Sequence, residues 1–204
     1  MDRLTRPFFL RDTLTVARAL LGQRLVRHMD GQRIAGRIVE TEAYIGQEDL
    51  ACHAARGRTE RNAAMFEAGG HAYVYFIYGM HYCFNVVTER EGFGAAVLVR
   101  ALEPCEGMAQ MRLRRGGRDG TELANGPARL CYALGIDRAL NGVDMVTSEK
   151  LWIECDLAVP DDRVATGPRV GVRGDERALT VPWRFWIRGN PYVSRSQVAS
   201  GSKP

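Results

Sequence analysis

Lysine is almost missing from this chain: Lys150 and Lys203 are the only two among 28 basic residues. Arginine therefore carries nearly all the positive charge. A guanidinium fork matches phosphate oxygens, so the bias suits an anionic partner, although a GC-rich coding preference produces it without one. The net charge of +4 permits a nucleic-acid partner and does not require it. No apolar run approaches a membrane span, and "MDRLTRPFFLRDTL" at the N-terminus has no signal-peptide core. A cytoplasmic protein without membrane contact is expected. Five cysteines, an odd number with no CxxC pair, suit reduced thiols better than a disulfide framework. Cys52–His53 and His81–Tyr82–Cys83 hold ligand types without the spacing of a structural zinc site, so no metal is expected. Repeats, low-complexity blocks and linkers are lacking as well. Residues 1–204 should form a single domain, with 195–204 as a flexible tail.

What is present alternates between strand and helix signals. "RDTLTVARALLG" predicts a short helix with Thr13 as N-cap and Gly22 as its stop. "QRLVRHMDGQRIAGRIVETEAY" predicts a hairpin turning at Asp30–Gly31. A polar loop, "GQEDLACHAARGRTERN", and a short helix, "AAMFEAGG", precede a second hairpin, "YVYFIYGMHYCFNVV". "AAVLVRALEP" predicts a strand ending at Pro104, "CEGMAQMRLRRG" a helix, and "NGPARLCYALG" a helix opened by Pro127 and closed by Gly135. "KLWIECD", "PRVGVR" and "PWRFWIRGNPYVS" predict three more strands. The order argues for an α+β fold: a mostly antiparallel, curved β-sheet, a protruding β-hairpin and surrounding helices.

Three features carry chemistry. Glu40, Glu42 and Tyr44 alternate along one strand and so share a face. A solvated sheet edge is the plain reading of such a face. The loop that follows, with His53, Arg56, Arg58 and Arg61, favours an anionic ligand instead. The two acids lie roughly 6.8 Å apart along the strand, a spacing that leaves a two-carboxylate hydrolytic pair open. The second hairpin packs six aromatics into a dozen residues and sets Tyr78 directly before Gly79, where its own hairpin cannot bury the ring. Such a ring can wedge between base pairs, and aromatics nearer the hairpin base can wall a pocket for an extruded base.

Seven blocks occurring in order from about Leu14 to Ser194 resemble the alkyladenine DNA glycosylase family, also called methylpurine or 3-methyladenine DNA glycosylases. They are "RIVETEAYIG", "CHAARGRTERN", "HAYVYFIYGMHYCFNVV", "VLVRALEP", "NGPARLCYALGI", "RVGV" and "GNPYVS". The resemblance implies a monofunctional enzyme that flips damaged purines from double-stranded DNA and hydrolyses the N-glycosidic bond. It implies that Glu42 activates the water, helped by Arg100 and the backbone carbonyl of Val170. It makes Tyr44, His53, Tyr75 and Asn85 the base pocket, Asn85 crowding the amino group of normal guanine. Tyr78 would fill the gap left by the flipped nucleotide, with Met80 close to the DNA. It further implies a monomer of compact bacterial type, acting at the nucleoid without a cofactor. Cys52 precedes His53 at a position that varies in the family, and His81 stands where another aromatic can occur. A damage-binding protein without catalysis, using Tyr78 but not Glu42, and a metal-dependent nuclease built on Glu40, Glu42 and His53 are the alternatives.

Overall fold

The computed structural model describes residues 1–194, and the expected flexible tail, 195–204, lies outside the described residues. Its strands are β1 (Arg24–Met29), β2 (Gln32–Ile45), β3 (Ala72–Ile77), β4 (His81–Thr88), β5 (Ala95–Glu106), β6 (Leu151–Glu154), β7 (Val164–Gly167) and β8 (Arg184–Ile187). Its α-helices are α1 (Arg6–Phe9), α2 (Thr13–Ala19), α3 (Met108–Arg114), α4 (Pro127–Leu134) and α5 (Glu176–Thr180). The strands pair antiparallel in the order β3-β4-β5-β2-β1-β6, with β8 bridging β2 and β7, and the sheet is not closed into a barrel. The α+β architecture expected from the sequence is the one observed.

β2 is the axis. β5 lines one edge of it, β1 covers the first half of the other edge, and β8 takes over at Glu40–Glu42. The acids therefore sit mid-sheet and are fully buried. The solvated-edge reading falls on that pairing. A bulge between Ile38 and Thr41 shifts the side-chain parity. Ile34 and Ile38 before it, and Ala43 after it, all enter the main core, where Thr41 donates to the Ala17 carbonyl at 2.8 Å. Arg33 and Arg37 before the bulge and Glu42 and Tyr44 after it consequently share the opposite face.

The main core lies between the sheet and α2, α3 and α4, with Leu20, Leu21, Leu25, Phe84, Leu102, Leu130 and Leu134 among its buried members. Each such side chain contributes about 1.5–3 kcal/mol by burial. A smaller cluster on the opposite face joins Cys52, Met65, Phe66, Tyr73 and Val87, with Tyr44 and Tyr75 packed against it.

Five local expectations shift. Asp12, not Thr13, caps α2, accepting from the Thr15 amide at 3.0 Å. Thr13 turns inward to Thr88 and Glu89 instead. The polar loop holds a 3-10 turn at His53–Arg56, and "AAMFEAGG" forms only a 3-10 turn at Ala63–Phe66. β5 runs through Pro104 to Glu106, because Pro104 lies opposite Gly36 at a register shift where a missing N–H is tolerated. "PRVGVR" is loop rather than strand: Val170 spends its amide on a carboxylate, and β7 supplies the strand in its place.

Candidate active site

The face of the sheet away from the main core carries the site, each strand contributing alternate residues. β2 presents Glu40, Glu42 and Tyr44, and β5 presents Arg100. β4 and β3 supply Asn85, Tyr73 and Tyr75, which line a cavity of about 490 Å³ together with Tyr44, His53, Met65 and the backbone around Gly171. That volume falls within the range of small-ligand pockets, about 300–1,000 Å³.

The four residues expected to hold a base are brought together in this wall. His53 and Tyr75 pack edge to face with ring centroids 4.6 Å apart, and Tyr75 lies 5.5 Å from Tyr73. The His53 Nδ1 sits 2.8 Å from the Tyr73 hydroxyl. Asn85 is fixed by donating its amide N–H to the Tyr73 carbonyl at 3.0 Å. Burial raises the pKa values of Tyr44, Tyr73 and Tyr75, with Glu42 adding to the effect at Tyr44 and Cys83 at Tyr75. Although His53 shows surface to the cavity, the surrounding protein lowers its pKa, and Arg61 lowers it further. The tyrosine and histidine rings are thus uncharged at neutral pH, and the charge of the lining comes from Arg56, Arg61 and Arg173. Cys52, which packs behind them, has its thiol pushed up to about 12 by burial and is a packing group rather than a thiolate.

Glu42, Arg100 and Val170 form a second group, its two charged members buried, joined to the cavity wall through one hydroxyl. Tyr44 donates to Glu42 Oε2 at 2.8 Å, while Oε1 accepts from the Val170 amide at 2.7 Å and lies 3.1 Å from Arg100 Nη1. The contact of the Val170 amide with the acid is additional to the sequence reading, which set the Val170 carbonyl beside the water. Burial alone would lower the Arg100 pKa; Glu42 and Glu40 outweigh it and raise it. Arg100 therefore stays a cation between two acids.

Those two acids are not equivalent. Glu40 accepts from Arg100, Arg184, and both the amide and hydroxyl of Ser194, four donors in all. Three of the four reach Oε1 and one reaches Oε2, and none comes from a residue that lines the cavity. Glu42 has three donors, and the free site is on Oε2, the oxygen bonded to the Tyr44 hydroxyl. Of the two acids, Glu42 is the one bonded to a residue of the cavity wall, Tyr44.

Tyr78 and Met80 lie apart from both groups, at the tip of the β3–β4 hairpin, 78% and 59% exposed. The tight turn needs positive φ at two residues; Gly79 supplies it freely at 68°, while Tyr78 adopts 55° at a cost of about 1–2 kcal/mol. A large apolar ring kept in strained backbone and in water points to use. The turn is braced on both sides: Tyr132 of α4 donates to the Met80 carbonyl at 2.8 Å, and Arg61 donates to that of Phe76 at 3.3 Å. His81 packs edge-on against Tyr132.

Sequence reasoning missed Arg184 and Ser194, which occupy Glu40, and Asp49 and Arg169, which pair behind Tyr44. Only their place in or beside quoted blocks marked them. His53 does not converge with the acids as a ligand set, and no group of three metal-binding side chains occurs among the described residues.

Residues 7–191 match the family model described as Methylpurine-DNA glycosylase (MPG). A protein of Methanocella arvoryzae named "Putative 3-methyladenine DNA glycosylase" is 50% identical over 196 residues, covering 96% of this chain and 97% of its own length. A Myxococcus xanthus protein of the same name is 48% identical over the full length of both chains, and one from Carboxydothermus hydrogenoformans is 47% identical over 94% of this chain and 98% of its own.

Proposed function

Because the chain belongs to the methylpurine-DNA glycosylase family, a class of DNA base-excision repair hydrolases acting on N-glycosyl bonds, we propose that it excises damaged purines from duplex DNA with Glu42 as the base. The observation that carries this reading is the spare acceptor site of Glu42 Oε2, one hydroxyl away from a cavity walled by uncharged rings and flanked by arginines. A water held there gives its proton to Glu42 as its oxygen bonds to C1′ of the sugar. The glycosidic bond breaks, and its electron pair leaves with the purine. A cationic base such as 3-methyladenine, the lesion in the relatives' names, departs neutral and needs no acid. Positive charge growing on the sugar faces the Glu42 carboxylate, and Arg100 and the Val170 amide fix its orientation. Glu40, tied to four donors none of which lines the cavity, favours this single-base chemistry over a two-acid pair and has a structural part.

The cavity is the pocket for the extruded purine, with Tyr44, His53 and Tyr75 against its faces and Asn85 at its edge. Extrusion costs a few kcal/mol, and aromatic stacking returns about 1–3 kcal/mol per base. Tyr78 fills the vacated stack, with Met80 beside it. Neither site lysine nor Schiff base enters: Lys150 and Lys203 are the only lysines, and water is the nucleophile. The protein acts alone, at the chromosome in the cytoplasm, and no helix among the described residues is long and apolar enough to cross a membrane.

The test is single-turnover excision from a duplex carrying a methylated purine. Glu42→Gln lowers the rate on the order of 100–10,000-fold while keeping duplex affinity. Full activity in that variant removes Glu42 from the chemistry, and binding without any release of base by the unaltered protein leaves the non-catalytic reading. In the same assay Tyr78→Ala weakens excision from duplex more than from an unpaired lesion; equal losses count against the wedge.

A further inference from the structure

One buried ion pair, Asp49–Arg169, has no part in the chemistry above, yet it ties together the end of β2, the loop leading to His53 and the segment that carries Val170. The two side chains are 1% and 0% exposed and pair through both oxygens, Nη1–Oδ2 at 2.6 Å and Nη2–Oδ1 at 2.8 Å. Arg169 also donates to the carbonyls of Ala43, at the end of β2, and Ala178 in α5. Its guanidinium lies 4.8 Å from the ring centre of Tyr44 and 5.1 Å from that of Trp183. Asp49 accepts from the amides of Ile45 and Ala51, which brackets the loop leading to His53.

A buried pair of this kind is poor at stabilising a fold, because desolvation offsets much of the attraction. What it does well is fix relative positions. Arg169 immediately precedes Val170, whose amide holds Glu42, and its flat face backs the ring of Tyr44, whose hydroxyl holds the other oxygen of the same carboxylate. Both contacts that aim Glu42 from outside β5 thus depend on one side chain.

We infer that Arg169, clamped by Asp49, is the positioning residue that sets the direction of the Glu42 carboxylate toward the cavity. The inference rests on the reading of Glu42 as the base. Lysine in its place keeps the charge but loses the two-pronged grip and the planar stack.

In single-turnover excision of a methylated purine, Arg169→Lys lowers the rate about 100-fold, the size expected when a reacting group is displaced by an ångström. Affinity for a duplex carrying an abasic-site analogue stays within about threefold. Combined with Glu42→Gln, Arg169→Lys costs no further rate, since it acts only through that carboxylate. An unchanged rate, a fall in affinity matching the fall in rate, or additive losses in the double variant would each overturn the inference. If Arg169→Lys does not fold, hydrogen exchange of the unaltered protein decides: a Val170 amide as slow as that of Ala43 supports the clamp, and one exchanging at open-loop rates sinks it. That measurement also stands if Glu42→Gln proves fully active, in which case the catalytic reading fails separately.

Discussion

Two groups of arginines occupy opposite ends of one sheet face, and their company differs. At the end formed by β1, the start of β2 and β6, Arg24, Arg33 and Arg37 share Glu103, Glu106, Glu154 and Asp156 in pairs between 2.6 and 3.6 Å. Arg3 lies over Trp152 at 4.3 Å, and the Trp152 indole donates to Glu154. Charge is consumed there. At the other end, Arg56, Arg61 and Arg173 line the cavity and form no ion pair with an acid among the described residues. The same residue type thus serves as sheet covering at one end and as unspent positive charge at the other, beside the exposed Tyr78. An arginine-rich composition alone does not separate the two; the distribution of acids does.

The difference breaks first on DNA binding. Replacing Arg56, Arg61 and Arg173 together with glutamine lowers duplex affinity on the order of 10–100-fold at moderate salt. It also reduces the slope of log affinity against log salt by about 2–3, at roughly 0.9 per phosphate contact. Titration of a fluorescent duplex across a salt series checks both, and a slope equal to that of the unaltered protein refutes the division. The melting temperature is unmoved, since surface changes of this kind lie within about 0.5 kcal/mol.

Arg33→Met reverses the pattern. Glu154, with a side chain 6% exposed, loses two of its donors, while Arg33 itself is 36% exposed and solvent screening tempers the loss. A destabilisation of about 1–2 kcal/mol follows, read as a drop of roughly 2–8 °C in melting by calorimetry. Duplex affinity stays within twofold.

How much of this was legible beforehand depends on the kind of signal. Alternation, turn residues and helix stops are local, so both hairpins, β5, α3 and α4 could be read from the chain, as could the shared face of Glu40, Glu42 and Tyr44. The family resemblance located the candidate pocket residues by block. What could not be read is long-range partnership. Glu40 and Glu42 differ only in their donors, and those come from Arg184, Ser194 and Val170, far along the chain. "PRVGVR" alternates like a strand, but its polar groups face Asp49 and Glu42, so tertiary contacts override local pattern. The bulge that carries the face across Ile38–Thr41 leaves no mark in composition.

Acid titration sharpens the comparison with the smallest effect. Hydrogen bonds from Arg33 come first among the causes that hold both Glu106 and Glu154 below the usual carboxylate range. A folded-state value depressed below the unfolded one means stability that is present above about pH 4.3 and lost as pH falls through the lower folded value. Chemical denaturation between about pH 6 and 2 therefore shows stability declining on the acid side. In Glu154→Gln that decline is shallower by less than about 1 kcal/mol, because one of the two protonation events is gone while Glu106 remains. An equally steep decline in the variant places the acid sensitivity elsewhere and leaves the ion pairs of this end as covering alone. The cavity end adds its own decline through His53: burial and then Arg61 lower its folded-state value, so the unfolded chain takes up the proton first and stability falls as pH drops below about 6.5.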